Sequence, residues 1–133
     1  MKMLLVAVLA AFVCAGVAQS ASRASAIKYH DDVFGPILAT QAKKALYTWK
    51  VEQRAGGKIR CRGACAVAWP PLLAKGAVPK HLAGIKGTFG TIRRPDGKRQ
   101  VTFKGLAVYT YAHERSTQVL CDNVDGWFVV RLR

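Results

Sequence analysis

The side chains of this chain with the types and spacing for chemistry fall into two groups. Cys61 and Cys65 form a C-x-x-x-C pattern. The other group occurs twice: Tyr47, Trp49 and Glu52 in segment 45–52, and Tyr109, Tyr111 and Glu114 in segment 107–114. Both segments read apolar, apolar, Tyr, Thr, aromatic, x, x, Glu. Two glutamates brought together could act as general acid and base, and paired aromatics could stack on a sugar or a quinone. A plainer reading competes with each. Aromatics at period two on a strand are usual core residues, and a glutamate after the strand caps a turn or bonds a tyrosine hydroxyl or an arginine. We adopt the plainer readings. They predict that truncating an aromatic is severe and that exchanging either acid for its amide is mild.

No Ser-His-Asp order, H-E-x-x-H motif or phosphate-cradling glycine loop accompanies these residues, so the chain is read as non-enzymatic, with no catalytic residue, metal or cofactor assigned. Cys121-Asp122-Asn123-Val124-Asp125-Gly126 matches part of a calcium loop, but Cys121 and Leu132 fall where the first and last ligands belong. For the cysteine pair, a thioredoxin-type site needs C-x-x-C and haem attachment needs C-x-x-C-H; neither is present. In an exported chain a short-loop disulfide between Cys61 and Cys65 is the leading reading. Cys121 is then the odd thiol, either buried and inert or displacing one partner of the bridge. The runner-up is a redox or metal accessory protein using Cys61, Cys65 and a histidine (His30, His81 or His113) or Glu52 and Glu114, although the histidines lack a recognisable ligand spacing.

Export is read from the start of the chain. Met1-Lys2 is a short positive lead, Met3 to Val13 is uncharged and apolar, and small residues follow to Ala18. That layout is a signal peptide over residues 1–18, with an alternative end at 26. Cys14 raises the option of a lipid anchor, but Val13 stands where a small residue should precede the acylated cysteine. The run is too short to span a bilayer, so the mature chain is expected to carry no transmembrane segment and to be periplasmic or secreted.

Charge narrows the partners. Lys and Arg number 21 against 7 Asp and Glu, a formal +14. In an exported protein such an excess meets anionic envelope polymers and lipid surfaces, and its scatter along the chain predicts weak association without head-group or nucleic-acid sequence selectivity.

The elements that must position these groups are short. Residues 19–32 read as a flexible lead-in and 33–133 as the domain. Gly35 to Thr40 and Ala45 to Val51 form one hairpin. Thr88 to Arg93 and Arg99 to Phe103 form a second around Pro95-Asp96-Gly97-Lys98, where proline presets φ and glycine accepts positive φ. Gln53 to Arg60 reads as a loop, a short helical turn near the cysteine pair is stopped by Pro70-Pro71, and strands follow at Leu106 to Ala112 and Trp127 to Leu132. The fold class is mainly β: two related β-hairpin-based halves about an approximate two-fold, neither able to bury its aromatic face alone.

The repeated motif, together with Cys61 to Ala66, Trp69-Pro70-Pro71-Leu72, Gly90 to Gly97, Gln100 to Gly105 and Trp127-Phe128-Val129-Val130, resembles the bacterial secreted-repeat family. Its members are lipoprotein-like exported proteins carrying Y-x-[FWY]-x-x-D, usually in tandem. The resemblance implies fold and location and carries no biochemical activity. Here both motif copies end in glutamate, Glu52 and Glu114, where the family has aspartate.

Overall fold

The computed structural model describes residues 25–133, so the expected signal peptide (1–18), Cys14 and the first part of the expected lead-in lie outside the described residues. The domain is mainly β. Its elements are β1 (Ile27–Asp31), β2 (Gly35–Ala39), β3 (Tyr47–Trp49), α1 (Lys50–Arg54), α2 (Ala64–Ala68), β4 (Phe89–Arg93), β5 (Arg99–Phe103), β6 (Leu106–Ala107) and β7 (Trp127–Val129).

One boundary is corrected. Residues 27–31 are strand β1, paired antiparallel with β2 from Ile27↔Ala39 to Asp31↔Gly35, and Ala26 is already buried, so the domain starts before Val33. The signal was a short alternation: Ile27, Tyr29 and Asp31 are half-buried while Lys28 and His30 are exposed. The polar composition of the segment masked it. The strand through Tyr47 is also shorter than expected, because helix α1 begins at Lys50 and leaves Val51 exposed.

The second hairpin closes as its turn residues require. The Arg94 N–H donates to Lys98 O at 2.8 Å, Gly97 N–H to Arg94 O at 2.8 Å, and Lys98 N–H to the Asp96 carboxylate at 2.9 Å.

Backbone hydrogen bonds define the two-fold, and it is a swapped one. Tyr47 and Tyr109 exchange both N–H···O bonds, at 2.8 and 2.9 Å, so the two motif strands meet antiparallel at their tyrosines. The tail of the second half pairs with the first: Val130 N–H donates to Leu46 O at 2.9 Å and Lys50 N–H to Gly126 O at 2.8 Å. The tail of the first half pairs with the second in the same way: Leu72 N–H donates to Val108 O at 3.1 Å and Ala112 N–H to Ala68 O at 2.9 Å. The outer hairpins obey the same correspondence, with Leu38 N–H bonding Val130 O as Val101 N–H bonds Leu72 O. Each half therefore completes its neighbour's sheet with its own last strand. A half alone would leave those edges unpaired.

Two clusters make up the interior. One joins aliphatic and phenylalanine side chains, including Leu38, Leu46, Val101, Phe103, Val108 and Val130. The other lies around the two-fold and holds Tyr47, Tyr109, Trp69, Trp127, Cys61 and Cys121. Among the described residues no helix is long and apolar enough to cross a membrane.

Candidate functional site

Both motif tyrosines are completely buried, and each reaches across the two-fold to the acid of the other copy. Tyr47 Oη donates to Glu114 Oε2 at 2.6 Å, and Tyr109 Oη donates to Glu52 Oε2 at 2.8 Å. Motif spacing explains this. Tyr47 and Trp49 share β3, whereas the strand expected through Ala112 ends at Ala107 and leaves Tyr109 as an isolated bridge; after each aromatic pair the chain turns, helix α1 following Trp49 and Glu114 N–H closing a turn onto Tyr111 O at 3.2 Å. The turn swings the acid inward, where Glu52 and Glu114 are 1% and 4% exposed.

Each acid gathers backbone donors on the same oxygen. Glu52 Oε2 also accepts from Arg60 N–H at 2.6 Å and Cys61 N–H at 3.0 Å, and Glu114 Oε2 accepts from Leu120 N–H at 2.9 Å. The acids thus anchor the loops leading to Cys61 and Cys121, which occupy corresponding places in the halves. The second oxygen of each, Oε1, is buried without a hydrogen-bond partner.

The halves differ in charge. Beside Tyr109, buried Arg94 donates to Gln100 Oε1 at 2.6 Å, to Cys61 O at 2.7 Å and to Tyr109 Oη at 3.4 Å, while Gln100 donates onward to Val108 O at 2.9 Å. In the two-fold correspondence Gln100 matches Ile37 and Arg94 matches Asp31, which caps its own turn through Val33 and Phe34 N–H. No buried cation therefore stands in the matching position beside Tyr47, and burial raises the Glu114 carboxyl above its ordinary value despite the Tyr47 hydrogen bond and the pull of Lys44. Burial and the neighbouring carboxylates likewise push the Tyr47 and Tyr109 phenols well above the ordinary range, keeping both protonated.

The aromatic rings are stacked about the same axis. Trp69 and Trp127 lie face to face with centroids 3.9 Å apart and planes 9° apart. Tyr47 packs edge-on to Trp69 and Tyr109 edge-on to Trp127, each at 5.2 Å. Half-buried Trp49 stacks on the outer face of Trp127 at 5.1 Å, and half-buried Tyr111 packs on Trp69 at 4.7 Å. The ladder Trp49, Trp127, Trp69, Tyr111 thus crosses the domain. Trp49 is held there by its indole N–H, which donates to Asp125 O at 3.1 Å.

Cys61 and Cys65 are joined by a disulfide that ties the loop before α2 to its first turn, where Cys65 lies. Cys121 is a buried free cysteine whose thiol is pushed up, chiefly by burial. While joined, the two sulfurs offer no thiolate to a metal. His30, His81 and His113 are all exposed, and among the described residues no group of three or more His, Cys, Asp or Glu side chains could hold a metal ion.

All six motif residues come together in one assembly. Sequence reasoning missed Arg94 and Gln100, and the place of Trp69 and Trp127 at its centre. Nothing separates Arg94 from its exposed neighbour Arg93 in composition; strand alternation, which turns one of two adjacent arginines inward, was the available signal. Comparison of the chain with known protein families, curated proteins and solved structures finds no match.

Proposed function

We propose that the chain is an exported, non-enzymatic module of the cell envelope that binds anionic polymers or lipid surfaces, and that it belongs with the secreted-repeat proteins its motifs resemble. The observation that carries this reading is the division between inside and outside. The motif tyrosines and acids are engaged with one another in the core, whereas every lysine and arginine of the described residues except Lys44 and Arg94 is exposed. Few acids offset them: the single ion pair among the described residues is Arg131 with Asp122, at 2.6 Å. Lys28, Lys86 and Arg133 line a groove of about 320 Å³ together with Pro36 and Leu132, so that cations stand beside apolar surface. Each cation brought to an anionic surface contributes about 1 kcal/mol, screened over roughly 8 Å at physiological salt. Sedimentation with vesicles containing phosphatidylglycerol is expected to capture the protein at low salt and release it as salt rises, with no capture by phosphatidylcholine vesicles. Capture that persists at high salt, or that is equal on neutral vesicles, would refute charge as the cause.

A further inference from the structure

The aromatic assembly has a property that surface binding does not use. Rings in van der Waals contact, running from the half-buried Trp49 into the core, form a path along which an electron vacancy can move by short steps. At its inner end are two phenols, each already hydrogen-bonded to a carboxylate. A phenol that can pass its proton to a base as it loses an electron is easier to oxidise than an indole, so the vacancy has somewhere to settle.

We propose that Trp49, Trp127 and Trp69 carry oxidising equivalents inward and that Tyr47 traps them, its proton moving to Glu114. A small inorganic radical, acting as one-electron oxidant, takes one electron from Trp49 and leaves as its anion. Trp127 refills Trp49, and Trp69 refills Trp127, across contacts of 5.1 and 3.9 Å. Tyr47, edge-on to Trp69 at 5.2 Å, supplies the last electron. Its O–H bond breaks, a new O–H bond forms on Glu114 Oε2, 2.6 Å away, and the products are a neutral phenoxyl radical beside a neutral carboxylic acid.

Electrostatics selects Tyr47 over its two-fold mate. Tyr109 is equally close to Trp127, at 5.2 Å, and has Glu52 as acceptor. Protonating Glu52, however, would remove the negative charge that the buried Arg94 guanidinium meets through Tyr109 Oη, which bonds Arg94 at 3.4 Å and Glu52 at 2.8 Å, and a buried cation deprived of its counter-charge is costly. Protonating Glu114 removes a buried negative charge instead, and the cation acting on it, Lys44, is half-buried and retains solvent. The same donors that hold the two halves together thus favour one radical site over the other.

The test is pulse radiolysis of the full chain with azidyl radical, which oxidises tryptophan selectively. The indolyl absorption is expected to decay at a rate independent of protein concentration while phenoxyl absorption grows in its place. Tyr47→Phe should lose most of that phenoxyl yield, Tyr109→Phe should keep most of it, and Trp127→Phe should slow its growth. Decay of the indolyl signal only by collision between molecules, with no phenoxyl growth, would overturn the proposal. So would equal losses in Tyr47→Phe and Tyr109→Phe, or loss on replacing Tyr29 or Tyr111. Should Tyr47→Phe fail to fold, the wild-type chain labelled with ring-deuterated tyrosine decides the matter. Its frozen radical must show the narrowed resonance and a hydrogen-bonded phenoxyl signature, and an indolyl spectrum unchanged by the label would refute trapping at tyrosine.

Discussion

Exchange of Glu52 for glutamine tests the swapped hydrogen bonds directly, because the structure reverses the mild effect expected from the motif alone. Three donors converge on Glu52 Oε2: Tyr109 Oη at 2.8 Å, Arg60 N–H at 2.6 Å and Cys61 N–H at 3.0 Å. Hydrogen bonds to a charged group contribute about 1.5 to 3 kcal/mol against about 0.5 to 1.5 for neutral ones, so an amide oxygen in the same place forfeits about 3 kcal/mol. The amide nitrogen would lie at Oε1, buried where no partner exists, at a further cost of about 1 to 3 kcal/mol. Glu52→Gln should therefore lose about 4 kcal/mol or more, most of the stability of a small domain. Glu114→Gln has two of these donors, Tyr47 Oη and Leu120 N–H, and relieves the burial of a charge that no buried cation balances. Its cost should be about 2 kcal/mol smaller, a difference of about 8 °C or more in melting temperature for a domain of this size. Urea unfolding of both variants beside wild type supplies the comparison. A Glu52→Gln variant within about 1 kcal/mol of wild type, or one no worse than Glu114→Gln, would refute the assignment of these three bonds as stabilising.

Three further outcomes follow from other parts of the fold. Because burial raises the folded-state pKa of Glu114, its contribution to stability is fully present below the unfolded value and lost as pH rises through the folded one; urea midpoints should show wild type losing stability relative to Glu114→Gln over that rise. Gly87 has φ +121°, and a Cβ there would lie 2.6 Å from the buried Phe103 ring, so Gly87→Ala should cost at least about 2 kcal/mol by thermal unfolding. Reduction of the Cys61–Cys65 bridge, which spans a sequence separation of 4, should cost about 2 kcal/mol in the chain-entropy relation, measured as a shift in urea midpoint with and without dithiothreitol.

What was legible in the sequence was whatever has a local cause. The Pro95-Asp96-Gly97 turn, the helical turn ahead of Pro70 and the inward Tyr47 and Tyr109 of the motif follow from φ restrictions and periodicity, and the structure contains each of them, while Trp49 and Tyr111, read as equally inward, are only half-buried. Even the two-fold was visible, as similarity between segments 45–52 and 107–114. The exchange across it was not. Whether Tyr47 bonds the acid of its own motif or that of the other depends on the antiparallel pairing of Tyr47 with Tyr109, a contact between residues far apart in the chain that no local pattern records. Strand β1 escaped for the opposite reason, since its alternation is local but only Ile27 and Tyr29 mark it against polar neighbours. Arg94 combined both difficulties: it is one arginine of an adjacent pair, and its partners Gln100 and Cys61 belong to different elements.

The departures from symmetry explain more than the symmetry does. A perfect two-fold would place the same residues around both tyrosine–glutamate pairs and bury two carboxylates in equivalent settings. Instead, Gln100 and Arg94 surround one pair where Ile37 and Asp31 stand in relation to the other, so the tyrosine of one pair accepts from a buried cation and its mate does not. Swapped strands make this difference consequential. Each acid holds the loop of its own half while accepting a proton donor from the other, so a change in charge at one pair is felt in both halves. Glu114 is therefore the acid at which burial works against the charged form, whereas Glu52 is joined through Tyr109 to Arg94, and through Arg94 to the Cys61 carbonyl, in one continuous buried network. Repetition supplies the two edges that each half must cover for the other, and the substitutions at Ile37 and Gln100 assign the two copies different electrostatic duties.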